Sequence, residues 1–168
     1  MTDIKTERRL SVIVMADIVG YSFLMNEDEL GTLKITKVIQ SELINPLVKL
    51  HGGRVVKTMG DGFLIEFASV IEAAQCSIKI QKSILQFRTK LSSNRNISLR
   101  IGLHMGDIIE TENDIYGDGV NIAARLESHS SPGGICISST VYDQINGKID
   151  HYFNEFGNLN LKNIKNPV

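Results

Sequence analysis

The sequence predicts an α+β sandwich, a single sheet with helices packed on it. Three observations predict it. SVIVMADIVGYS, residues 11–22, is a β-branched run without polar alternation, the pattern of a strand covered on both faces. VVKTMGDGFLIEF, residues 55–67, sets Asp-Gly between two apolar runs of β-formers, the strongest short-range signal for a tight hairpin. The elements run strand, helix, hairpin, helix, strand, strand, helix, strand, with no repeat, linker or low-complexity segment, so residues 1–168 make one domain.

Taken in order, the run from residue 11 is the central strand and ends in a turn at Gly20. From Asn26 through Leu50 apolar residues recur at Leu30, Leu33, Ile39, Leu43, Leu47 and Leu50, a helical spacing closed by Gly52-Gly53, with Pro46 placed to kink the last turns. The hairpin arms fall near 54–59 and 62–67. A second amphipathic helix spans about 70–92, with Ala73, Ala74, Ile78, Ile84, Leu85 and Leu91 as its stripe. NISLRIGLHMGDIIETE, residues 96–112, reads as two strands joined at Gly106, and a third helix runs from Asp118 to about His129. GGICIS is a strand, STVYDQI a short helix opened by Ser138 or Ser139, and residues 150–164 read as two further strands.

A chain of 168 residues can bury roughly 70% of the surface its unfolded form exposes, so it needs no staple. Cys76 and Cys136 are too few and too far apart for a disulfide framework or a zinc site, and read as buried thiols in a reducing compartment. A net charge of -1, with 18 basic and 19 acidic residues and no like-charge run, leaves no footprint for nucleic acid or an anionic membrane. LSVIVMA, residues 10–16, is too short to span a bilayer, and Asp3 and Glu7 spoil a signal-peptide start. The expected location is the cytoplasm.

Two aspartates stand out. Asp61, alone, is a hairpin-turn residue between two glycines. Asp17 ends the central strand, where an ionised carboxylate is costly unless it caps the following turn or meets a cation. If the strand of Asp17 neighbours the hairpin, the two meet at one edge. Paired carboxylates with backbone oxygens are the hard ligands that magnesium prefers, and two such ions make a phosphoryl-transfer site.

MADIVGYS (15–22), KTMGDG (57–62), LRIGLHMG (99–106), DIYGDGVNIAARLES (114–128) and LKNI (161–164) follow in an order and at separations that span nearly all of the chain. Together they resemble the catalytic domain of class III nucleotide cyclases, the adenylyl and guanylyl cyclases, and are most like the bacterial adenylate cyclases. The resemblance implies a ferredoxin-like, polymerase-palm-like, antiparallel-rich sheet with helices packed on it. It implies that Asp17 and Asp61 bind metal with the carbonyl of Ile18, two Mg2+ or Mn2+ ions per active site. The turn of Val19, Gly20, Tyr21 and Ser22 would face the triphosphate with its amides, and Arg100 and Lys162 would contact phosphates. Asn121 and Arg125, one helical turn apart, would orient the ribose and stabilise charge on the phosphorus under attack, a task suited to the always-charged planar guanidinium.

Lys57 and Asp114 match the pair that reads the purine. Adenine offers a ring-nitrogen acceptor and an amino donor, which a lysine and a carboxylate complement; guanine reverses both signs. The guanylyl members usually carry glutamate and a small residue there. The implied function is an adenylate cyclase converting ATP to 3′,5′-cyclic AMP and pyrophosphate. The alternatives are a guanylate or dual-specificity cyclase and a non-catalytic nucleotide-sensing dimerisation module. The resemblance further implies a homodimer with shared sites. One subunit would give Asp17, Asp61 and Arg100, the other Lys57, Asp114, Asn121, Arg125 and Lys162. Only seven residues separate Gly106 from Asp114, so the arm that reaches a partner in membrane-bound mammalian relatives is expected to be short. The chain stops at Pro167-Val168, where relatives have another strand, which suggests a piece of something longer.

Overall fold

The β-branched run becomes the middle of a six-stranded sheet. The computed structural model describes residues 5–90, 96–151, 153, 157 and 168. β1 (Glu7–Ile18) lies between the hairpin strand β3 (Gly62–Phe67) and β4 (Leu99–Glu110), antiparallel to both. β2 (Arg54–Met59) closes the hairpin at the outer edge, and Gly60, at φ 60°, supplies the left-handed turn residue. On the other side β4 carries two short partners, β5 (Ile115–Tyr116) antiparallel at one end and β6 (Ile135–Ile137) parallel at the other. The hairpin arms stand where the sequence predicts them, and the central strand begins at Glu7, ahead of the run that starts at residue 11. The strands proposed for residues 150–164 lie outside the described residues.

Residues 96–112 correct an expectation. They form one strand rather than two, and Gly106 sits inside β4 opposite Ser11. Its role is close approach rather than turning, because a Cβ there would meet the His104 ring and the Gly119 backbone at 2.9–3.3 Å.

The helices correct another. The long apolar segment divides into α1 (Tyr21–Glu27), α2 (Glu29–Val38), a π-helical stretch (Ile39–Ile44) and α3 (Asn45–Leu50), with Pro46 in the first turn of α3. Asp28 caps α2 by accepting from the Gly31 amide at 3.0 Å. Leu30, Leu33 and Leu50 are exposed, and the buried stripe is Thr32, Thr36, Ile39, Ile44 and Val48. Its five-residue step from Ile39 to Ile44 is the π-helical turn, which a search at the α-helical period misplaces. Thr32 and Thr36 enter the core because their hydroxyls donate to the carbonyls of Leu24 and Thr32. In α4 (Val70–Lys90) Leu85 is likewise exposed, while Cys76, Ser77, Ile80 and Gln81 join Ala73, Ala74 and Ile84 in the core; Leu91 lies outside the described residues.

These helices cover one face, where Val12, Val14, Ala16 and Ile18 of β1 meet Ile39, Ile44, Val48, Ile80 and Ile84. The opposite face is covered by α5 (Asp118–His129), and a smaller cluster forms from Ile13, Leu64, Ile108, Ile115 and Ala123. α5 presses its backbone onto β4 at Gly102, where any side chain would overlap Ala123 and Glu127. α6 (Ser139–Ile145) packs beside β4 and α4, with Ser138 at its N-cap position. Both cysteines are free and buried, and no helix among the described residues is long and apolar enough to cross a membrane.

Candidate active site

Strand register decides whether the two aspartates meet. Asp17 pairs with Gly62 across β1 and β3, and the Ile18 amide donates to the Asp61 carbonyl at 3.3 Å, so the end of β1 and the hairpin turn share one edge. The side chains sense one another: burial, partly offset by a hydrogen bond from its own backbone, and the negative charge of Asp17 together raise the Asp61 carboxyl above the ordinary range. Asp17 Oδ1 is buried and has no hydrogen-bond partner. A buried carboxylate oxygen left unpaired beside a second carboxylate is a donor set that suits a hard cation. No group of three or more His, Cys, Asp or Glu among the described residues is arranged to hold a metal. A cation here would therefore rest on two carboxylates and complete its shell from backbone carbonyl, phosphate and water, the habit of magnesium.

On the other side of β1, Asp17 pairs with Arg100 of β4, whose guanidinium donates to the Ser130 carbonyl at 3.0 Å. Glu127 of α5, the acidic neighbour that sequence reasoning missed, interacts with both. It is 9% exposed, held against β4 by the close approach at Gly102. Burial, then a hydrogen bond and charge repulsion from Asp17, push its carboxyl up to about 8, against the pull of Arg100. Its carboxyl is thus hydrogen-bonded to Asp17 and held well above the ordinary carboxylate range. The signal was present in the sequence: Glu127 follows Ala123 by four residues, which puts an acid on the buried stripe of α5.

The second cluster lies at β2 and β5. Thr111 N–H donates to the Asp114 carbonyl at 2.9 Å, a tight turn that folds β5 back along β4 and buries Ile115 against Ile13 and Leu64. The expected short arm is this hairpin. Lys57 Nζ lies 2.5 Å from Asp114 Oδ2 and 5.6 Å from the centre of the Tyr116 ring. Burial would raise the Asp114 carboxyl, but hydrogen bonds from Lys57, the Ile115 amide and the Tyr116 hydroxyl outweigh it and hold the group below its ordinary value.

Other predicted residues fall as follows. The Val19 amide donates to the Ser98 carbonyl at 2.9 Å, so this N–H is already paired within the fold. Gly20, at φ 66°, caps α1, and Tyr21 and Ser22 begin its first turn, where amides have no acceptor within the helix. Asn121 is exposed and Arg125 half-buried on α5, four residues apart on one face. Lys162 lies outside the described residues.

The model for the adenylate and guanylate cyclase catalytic domain matches residues 4–168. The chain belongs to this family. A Rhizobium meliloti (strain 1021) protein bearing the provisional name adenylate cyclase 3 is 42% identical over 161 residues, which is 96% of this chain and 27% of that protein. The chain thus spans about a quarter of that relative's length. Among solved structures, the adenylate/guanylate cyclase/hydrolase from Silicibacter pomeroyi superposes with a TM-score of 0.90 at 40% identity, covering 97% of this chain and 95% of the other. The adenylyl cyclase CyaB from P. aeruginosa gives 0.86 at 22% identity, covering 98% and 93%, and shares the fold. The cyclase domain's curled antiparallel sheet with flanking helices is the architecture described above.

Proposed function

We propose that this cyclase domain is an adenylate cyclase, which converts ATP to 3′,5′-cyclic AMP and pyrophosphate at two equivalent sites shared between the subunits of a cytoplasmic homodimer. The observation that carries the reading is the register that sets Asp17 beside the Asp61 turn with a buried carboxylate oxygen left unpaired. Asp17, Asp61 and the Ile18 carbonyl would hold magnesium or manganese, which when bound lowers the pKa of the ribose 3′-hydroxyl and offsets triphosphate charge.

The chain's own residues bind and orient. Arg100 and Lys162 take phosphate oxygens, with the amides at the start of α1 as further donors. Asn121 orients the ribose, and Arg125 meets the negative charge that grows around the α-phosphorus. The 3′-oxygen bonds to that phosphorus as the bond to the β-phosphate's bridging oxygen breaks, and pyrophosphate leaves with the electron pair. The hydroxyl proton passes to a carboxylate, a water or the substrate. One subunit supplies Asp17, Asp61 and Arg100, and the other supplies Lys57, Asp114, Asn121, Arg125 and Lys162.

The Lys57–Asp114 pair favours adenine, whose Watson–Crick edge it complements; each mispaired group with guanine costs about 1–3 kcal/mol. The name of the Rhizobium relative supports the same choice. The test is incubation of the purified domain with ATP or GTP and with Mg2+ or Mn2+ over a range of protein concentrations. Cyclic AMP should dominate, with specific activity rising as protein concentration rises, and Asp61→Ala should abolish it. Cyclic GMP in excess would refute the substrate, and turnover by Asp61→Ala would refute the metal assignment.

A further inference from the structure

Lys57 has two partners, and only Asp114 has a part in the base-reading scheme above. Alternation along the two-residue β5 turns Ile115 into the core and sets Asp114 and Tyr116 on the opposite side. Lys57 Nζ reaches both, at 2.5 Å from the carboxylate and 5.6 Å from the ring centre, within cation–π range. Tyr116 is 51% exposed, so core packing does not account for a large aromatic at this point. We propose that Tyr116 is a positioning residue that sets purine specificity, its ring holding the Lys57 ammonium where adenine is read and away from guanine. The inference rests on the nucleotide-binding reading of this site.

The physical reason lies in what a base must do to the ion pair. When adenine enters, its ring nitrogen accepts from Lys57 and its amino group donates to Asp114, so the ammonium has to loosen its hold on that carboxylate. A lysine on a flexible stem then loses its order unless another partner keeps it. The ring face is such a partner, and it claims no single N–H, so the donors stay free for the base. A lysine free to pivot can donate to the guanine carbonyl oxygen instead, and a pinned one cannot.

The test uses 3′-deoxy-ATP and 3′-deoxy-GTP, which lack the attacking hydroxyl, as binding probes for the domain in Mg2+, beside turnover of ATP and GTP. Tyr116→Leu should weaken 3′-deoxy-ATP binding about fivefold and shrink the preference over 3′-deoxy-GTP by a similar factor, the worth of a half-exposed cation–π contact. KM for ATP should rise likewise while kcat stays within about twofold. Tyr116→Phe, which keeps the ring, should behave like the wild type; should Tyr116→Leu not fold, Tyr116→Gln serves in its place. A ring-less variant that binds and discriminates like the wild type overturns the inference, as does a Phe variant as impaired as Leu or a wild type with no preference between the probes. Selective binding without any cyclic product would instead refute the cyclase reading and leave the role of Tyr116 standing.

Discussion

Two buried glutamates lie on the α5 side of the sheet at opposite ends of β1, in opposite surroundings. Glu66, 5% exposed, pairs with Arg9 and Arg54 and accepts from Ser11 Oγ at 2.6 Å; Arg9 and Arg54 also bridge to Glu110, which makes a charge-balanced ladder over four strands. Burial raises its carboxyl, but these hydrogen bonds outweigh that and hold it below the ordinary range. Glu127 has Asp17 and Asp61 for neighbours and Arg100 as the opposing charge, and it is raised to about 8. One end of the strand is electrostatically complete, and the other carries surplus acid. A fold that can satisfy a buried glutamate with two arginines at one end leaves the other end open to added positive charge, which is why the acidic end, rather than the ladder, is read as the active site.

The largest effect expected is at the acidic end. Asp17→Asn should reduce cyclic AMP formation by about a thousandfold or more, since metal chemistry contributes several kcal/mol to such reactions. Its melting temperature should stay level or rise, because a buried like charge has been removed. A variant that loses activity and stability together would erase the contrast with Glu66. At the ladder the pattern should invert. Glu66→Gln leaves Arg9 and Arg54 short of a carboxylate and should destabilise by about 1–3 kcal/mol in urea unfolding, with kcat for ATP unchanged once the protein is folded.

His104 provides a pH test away from both ends. It is buried on β4, its Nδ1 is 2.8 Å from Ser138 Oγ, and burial pushes its pKa down from 6.5 to about 4. The unfolded chain takes up this proton below pH 6.5 while the folded chain declines it until about pH 4. Stability should therefore fall as pH drops through that window, by about 3 kcal/mol for this group. Unfolding curves at pH 7, 5 and 4 measure the slope, and His104→Asn should flatten it. The smallest effect is at Glu127→Gln, which keeps the side chain's shape and removes a carboxyl whose charged form burial and Asp17 already disfavour; it should shift the melting temperature at pH 7 by no more than a few degrees.

Much of this was legible in the residues. β1, the hairpin, α5 and α6 follow from local patterning, and Asp17 and Asp61 meet because the hairpin pairs with the central strand. Gly106 was misread because glycine marks both turns and close approaches, and only the packing of α5 tells them apart. The α2–α3 stripe was misread because one π-helical turn shifts its phase. Glu127 was missed because its significance comes from a neighbour 110 positions away, and the spending of the Val19 amide on Ser98 is a tertiary contact that no local pattern announces.

The central claim is that Asp17 and Asp61 together take up divalent cations under a nucleotide. Counting free Mn2+ by electron paramagnetic resonance, with saturating 3′-deoxy-ATP and increasing protein, tests it most directly. The wild type should remove more Mn2+ from solution than the nucleotide alone does, and the Asp17→Asn/Asp61→Asn variant, still folded and still binding nucleotide, should not. Equal uptake by the two proteins would contradict the account.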